Sequence, residues 1–137
     1  MPEDIKQTIE TPVKEVPAGS SQHVTAGPYS PVLRIRASEL VVISGQVAVA
    51  PDGSLTSEDF VRQSEDTLNN ALKQLGSAGL SFADVFKVNV YLSDLADWGA
   101  FNEVYARLMP DPKPARTAIG CQLLPGYLVE VEMWAAR

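Results

Sequence analysis

The chain has 137 residues, 45% hydrophobic and 20% charged, a composition that fits one globular domain with its own core and disfavours disorder. Its 17 Asp+Glu against 11 Lys+Arg leave a net charge of -6. A field of that sign repels phosphate backbones and anionic lipid, and with no dense Lys/Arg run neither nucleic acid nor membrane is expected as a partner. The lone cysteine, Cys121, precludes an intrachain disulfide. No run approaches the roughly 18 apolar residues of a membrane span, and the opening Met1-Pro2-Glu3-Asp4 lacks a basic, apolar signal, so a cytoplasmic protein is expected.

Residues 1–137 are read as a single domain, with 1–26 as an extended leader punctuated by Pro12, Pro17 and Gly19. An edge strand is expected within Ile5 to Val13, and a loop at Ala18 to Gln22. Val32 to Arg36 alternates like a strand, and Leu40 to Val49 reads as a more buried one. Gly45 interrupts that second strand, which points to a bulge or a close backbone approach. Pro51-Asp52-Gly53 has turn chemistry. A helix follows, with Thr56 and Asp59 as its capping pattern. Val61, Ser64, Leu68, Leu72 and Leu75 form its apolar face, and Gly76 and Gly79 end it.

Val85 to Leu92 alternates as a strand with Val88, Val90 and Leu92 inward. Asp97 is expected to cap a second helix with Trp98, Phe101, Tyr105 and Leu108 on one stripe, stopped by Pro110 to Pro114. Strands Arg116 to Leu124 and Leu128 to Ala135 close the chain. The order β-β-α-β-α-β-β makes an α+β sheet with its helices on one face. The other face then needs a cover, which oligomerisation would supply.

Arg116 opens a strand whose same-face neighbours are Ala118 and Gly120. Small residues beside a permanent cation leave a hollow that fits a planar carboxylate, or else the arginine serves a structural salt bridge. Glu130 and Glu132 share a strand face with Leu128 and Trp134. Two carboxylates there either transfer protons or line a solvated face. Tyr29, between Pro28 and Pro31, presents a hydroxyl in a set direction or anchors a plain turn. Ser44-Gly45 offers a backbone N–H if the strand breaks there, and Asn102 flanks the aromatic stripe of the second helix. Cys121 alternates with Ile119 and Leu123 and reads as core, while His23 reads as solvated, so a Cys–His nucleophile is disfavoured. With no glycine-rich nucleotide loop, Cys-x-x-Cys or His-x-x-x-His spacing, neither a nucleotide cofactor nor a metal is expected.

Five segments, read in order, resemble the RidA/YjgF family of reactive-intermediate deaminases. They are Gly27-Pro28-Tyr29-Ser30, Val42-Ile43-Ser44-Gly45-Gln46, Phe101 to Tyr105, Pro114-Ala115-Arg116-Thr117, and Leu124 to Glu132. The resemblance implies a chorismate-mutase-like (bacillus type) fold, with two helices packed on one face of the sheet. It also implies a homotrimer with a central barrel-like core and three clefts between subunits. The implied reaction needs no cofactor: hydrolysis of 2-aminoacrylate-type enamines, through their imine tautomers, to a 2-keto acid and ammonia. Arg116 would bind the substrate carboxylate and Glu130 would stand near the attacking water. Tyr29, Ser44, Gly45, Asn102 and Ala118 would line the pocket. Departures from the family pattern are Thr117, where many members carry Ser; Ala118, where some carry cysteine; a loop before Glu130 shorter by one residue; and a longer leader. They leave open a pathway-specific deaminase of the aminoacrylate or aminomuconate type. A non-catalytic trimer binding small 2-keto acids or a protein is the reading from another class, since a fold does not fix a function.

Overall fold

The computed structural model describes residues 12–23 and 27–137. Its elements are β1 (Lys14–Glu15), β2 (Arg34–Ile35), β3 (Leu40–Gln46), α1 (Phe60–Ser77), β4 (Val85–Leu92), α2 (Trp98–Leu108), β5 (Ala115–Gly120) and β6 (Val129–Ala136). The expected edge strand lies mostly outside the described residues, and the leader strand seen is β1, antiparallel to β2. The strand expected over Val32 to Arg36 shrinks to β2, and β3 ends three residues before Val49.

The main sheet has the order β3-β6-β4-β5. β4 pairs parallel with β5, and β6 is antiparallel to both β3 and β4. β3, β4 and β5 therefore run in one direction, joined by two crossovers through α1 and α2 that step the same way across the sheet. Such crossovers are right-handed with few exceptions, which puts both helices on one face. Beneath them lie Val85, Val88, Val90 and Leu92 of β4 and Val129, Val131, Met133 and Ala135 of β6, all at most 1% exposed. The opposite face is open. It carries Asn89, Tyr91, Glu130, Glu132 and Trp134, half-buried, with exposed Val42 and Ile119.

The first helix is capped by Asp59, whose carboxylate accepts the N–H of Arg62 at 2.9 Å, and not by Thr56, which lies too far ahead of Phe60 to reach the open turn. Its buried face is Gln63, Ser64, Thr67, Leu68, Ala71 and Leu75. Val61 and Leu72, expected inside, are exposed. The axis is rotated because Gln63 is drawn inward. Its amide Nε2 donates to the carbonyls of Ser57 (2.9 Å) and Gly126 (2.8 Å), and its Oε1 accepts from Leu128 N–H (2.9 Å). This fully buried glutamine ties the loop before β6 to the start of α1. Replacing it by leucine leaves three backbone groups without partners, so Gln63→Leu is expected to lower unfolding stability by about 2–4 kcal/mol in a denaturant titration.

Candidate active site

Arg116 sits opposite Val88, which sits opposite Met133, so its side chain rises on the helix-covered face. The sequence reading set Ile119 and Cys121 toward the core. The structure reverses this: Ile119 lies opposite Tyr91, which lies opposite Glu130, on the open face. β5 stops at Gly120 and leaves Cys121 half-buried in the following loop. The hollow expected beside Arg116 is also closed at one end. Leu95 packs over Gly120 so closely that a β-carbon there would come within 2.9 Å of it.

What surrounds Arg116 instead is a box of rings. Its guanidinium carbon stands 4.9 Å from the ring centroid of Tyr105, 5.4 Å from those of Tyr29 and Trp98, and 5.9 Å from that of Phe101. Residues 98, 101, 102 and 105 share one face of α2 by helical spacing. The stripe read as core is thus the wall of a cation box. The fourth ring arrives through the segment around Pro28. Ser30 N–H donates to Pro114 C=O at 3.1 Å, and Ser30 Oγ to Lys113 C=O at 2.5 Å, which stitches Tyr29 to the entry of β5. Nη2 of Arg116 donates to Asn102 Oδ1 at 2.7 Å. Asn102, expected in the pocket lining, therefore orients the arginine.

Arg116 is 9% exposed. Among the described residues no carboxylate forms an ion pair with it, and no protein group accepts from its buried Nη1. Burial pushes its pKa down, while the nearby Tyr105 and Tyr29 hold it up. The alternative of a structural salt bridge is thus not what the structure shows.

A second cluster forms on the open face. Between Ile43 and Gln46 the β3–β6 register slips, giving the irregularity expected at Gly45. Glu130 fills the notch: a β-carbon on Gly45 would lie 2.6 Å from Glu130 Oε2. Ser44 is exposed beside it, and an open cavity of ≈ 420 Å³ lined by Gln122, Leu123, Leu124 and Pro125 borders Glu130. Glu132 is engaged differently. Its Oε1 accepts from Tyr91 Oη and, at 3.1 Å, from Asn89 Nδ2, an interaction that raises the Tyr91 pKa. The two glutamates therefore do not form a shared pair, and Glu130 is the one facing free space.

Within one chain the two clusters do not meet. Glu130 and Arg116 lie on opposite faces, two strands across and three residues along, roughly 14 Å apart at ordinary strand spacing. Arg116, Asn102 and Tyr29 are brought together, with Ala118 on the same strand face. Ser44, Gly45 and Glu130 form the other group. Sequence reasoning missed Gln63 and the enclosing role of Trp98, Phe101 and Tyr105. The available signal was three aromatics at spacings of three and four on a helix next to an arginine strand.

A family model described as Endoribonuclease L-PSP matches residues 20–137. The chain is 36% identical over 121 residues to Reactive Intermediate Deaminase A, chloroplastic, of Arabidopsis thaliana, spanning 87% of this chain and 64% of that protein. It is 32% identical over 127 residues to the 2-iminobutanoate/2-iminopropanoate deaminase of Mus musculus, spanning 91% and 93%. A solved structure from Yersinia pestis, titled as a protein of unknown function of the conserved Rid family, YyfB, superposes with a TM-score of 0.79 at 27% identity, covering 91% of this chain and 99% of that one. The mixed α+β fold with two helices and one mixed sheet is shared with these neighbours. No helix among the described residues is long and apolar enough to cross a membrane. A match running from the leader through the last strand, with the arginine strand and the Gly45 notch inside it, places this chain in the RidA/YjgF family.

Proposed function

We propose that this protein is a homotrimeric hydrolase that deaminates 2-imino acids, formed from 2-aminoacrylate-type enamines, to 2-keto acids and ammonia. The observation that carries the reading is the buried guanidinium of Arg116, which among the described residues has no carboxylate partner and no acceptor for its Nη1. A permanent charge held in a low-dielectric box is costly until an anion meets it. A substrate carboxylate is the anion of the right size and planarity. Trp98, 37% exposed, and the half-buried Tyr29 form the outer wall through which it would approach.

The reaction asks little of the protein. Water adds to the electrophilic C=N carbon, a proton moves from that water to the nitrogen, and the resulting aminol collapses to a keto acid and ammonia. Glu130, free at the notch, orients the water and carries the proton. Holding the carboxylate fixes the imine carbon relative to that water. Because Arg116 and Glu130 face opposite sides of one sheet, the cleft joining them is built from Arg116 of one copy and Glu130 of its neighbour. The open sheet face, with Val42, Ile119 and Trp134, supplies the surface the copies bury. The model's description names an endoribonuclease, but a net charge of -6 and an enclosed single cation suit a small carboxylate better than RNA.

The test generates 2-aminoacrylate in situ and follows loss of the imine with and without protein, beside sedimentation of the purified chain. Faster decay and a three-copy mass are expected. Decay no faster than in buffer would refute the enzymatic reading and leave a binding trimer.

A further inference from the structure

Among the described residues, one buried donor besides Arg116 Nη1 borders the same box without an acceptor, the hydroxyl of Tyr105. Tyr105 is 0% exposed, and its ring is the nearest of the four to the guanidinium, at 4.9 Å. As a packing element it gains nothing from its oxygen. Its ring already stacks obliquely on Phe101 at 5.7 Å, and a phenylalanine would fill the same core space. A buried hydroxyl left unpaired opposes folding, so its presence beside an unpaired cation points to a shared acceptor.

We propose that the Tyr105 hydroxyl is a substrate-binding donor, completing with Arg116 Nη1 a two-point grip on the substrate carboxylate. Asn102 accepts one of the two N–H groups of Nη2, which leaves Nη1 as the guanidinium Nη with no acceptor among the described residues. One carboxylate oxygen accepts from Nη1 and the other from Tyr105 Oη. Burial pushes the Tyr105 pKa far above its ordinary value, so the phenol keeps its proton and remains a donor across working pH.

This inference rests on the deaminase reading, and its test separates the two. Pyruvate, the keto-acid product, serves as probe in calorimetric titration of wild type, Tyr105→Phe and Arg116→Met, with KM and kcat for imine hydrolysis measured in parallel. Tyr105→Phe is expected to bind pyruvate roughly ten- to hundredfold more weakly, the range for one lost hydrogen bond to a charged acceptor. KM should rise to match, kcat should stay near wild type, and the melting temperature without ligand should hold or rise. A hydroxyl that only supports the fold would instead lower that melting temperature and leave pyruvate affinity unchanged. Wild-type affinity in Tyr105→Phe, with binding lost in Arg116→Met, overturns the role of Tyr105 alone. Absence of both pyruvate binding and imine turnover in wild type overturns both readings.

Discussion

Arg116→Met is expected to abolish accelerated imine hydrolysis while the protein folds at least as stably as wild type. The two halves of this prediction come from one fact. The guanidinium is 9% exposed among four rings with one amide partner and, among the described residues, no carboxylate, so ring faces and one amide, with no counter-charge, offset its desolvation. Replacing a buried charge by an apolar side chain of similar length is often neutral or stabilising, and methionine adapts to irregular space lined by aromatics. The proposed substrate, in turn, loses the cation that grips its carboxylate. Charge-assisted hydrogen bonds are worth about 1.5–3 kcal/mol each, so losing the grip should lower kcat/KM by roughly two orders of magnitude or more. Arg116→Ala gives the same loss of activity but leaves a cavity among the rings, and it should melt lower than the methionine variant. Arg116→Lys is not expected to rescue, because a compact ammonium cannot reach Asn102 and the substrate together or stack flat on the rings. Activity persisting in Arg116→Met would place the anion site elsewhere.

That trade between stability and function also explains which parts of the molecule were readable from sequence. β4 spans Val85–Leu92 as alternation indicated, because a strand half-covered by helices records its environment residue by residue. The Gly45 irregularity was legible for a related reason: a glycine in a β-branched run needs a cause, and Glu130 is that cause. The faces were harder. Ile119 is apolar yet lies away from the helices, while Arg116 is charged yet lies beneath them. Hydrophobicity names the core side of a strand only when the other side is polar, and an open sheet face that itself carries apolar residues breaks that rule. The rotation of α1 depended on Gln63, whose partners lie in a loop about sixty residues later; no local pattern encodes such a contact. Trp98, Phe101 and Tyr105 have the spacing of core residues, and only the register of β5 under α2 shows that they enclose a cation.

The second large effect concerns Glu130 and the geometry that separates it from Arg116. Glu130→Gln keeps the shape of the side chain and removes its ability to take a proton, so kcat should fall by roughly 10²–10⁴-fold with the fold unchanged. Gly45→Ala attacks the same group indirectly. Its new methyl would sit 2.6 Å from Oε2, so the carboxylate must leave the notch, and kcat should drop at least tenfold while the exposed bulge tolerates the change in stability. The decisive measurement mixes the two kinds of damage. Arg116 and Glu130 of one chain point to opposite sides of the sheet, so the proposed cleft draws one from each of two neighbouring copies. Inactive Arg116→Met and Glu130→Gln chains, unfolded together and refolded one to one, would then regain activity. In a cyclic assembly with random placement, a cleft is intact when its arginine comes from one variant and its glutamate from the other, giving about a quarter of wild-type activity. If both residues served a site within one chain, every site in the mixture would stay broken and no activity would return. The recovered fraction thus reads the topology of the sheet directly in a rate.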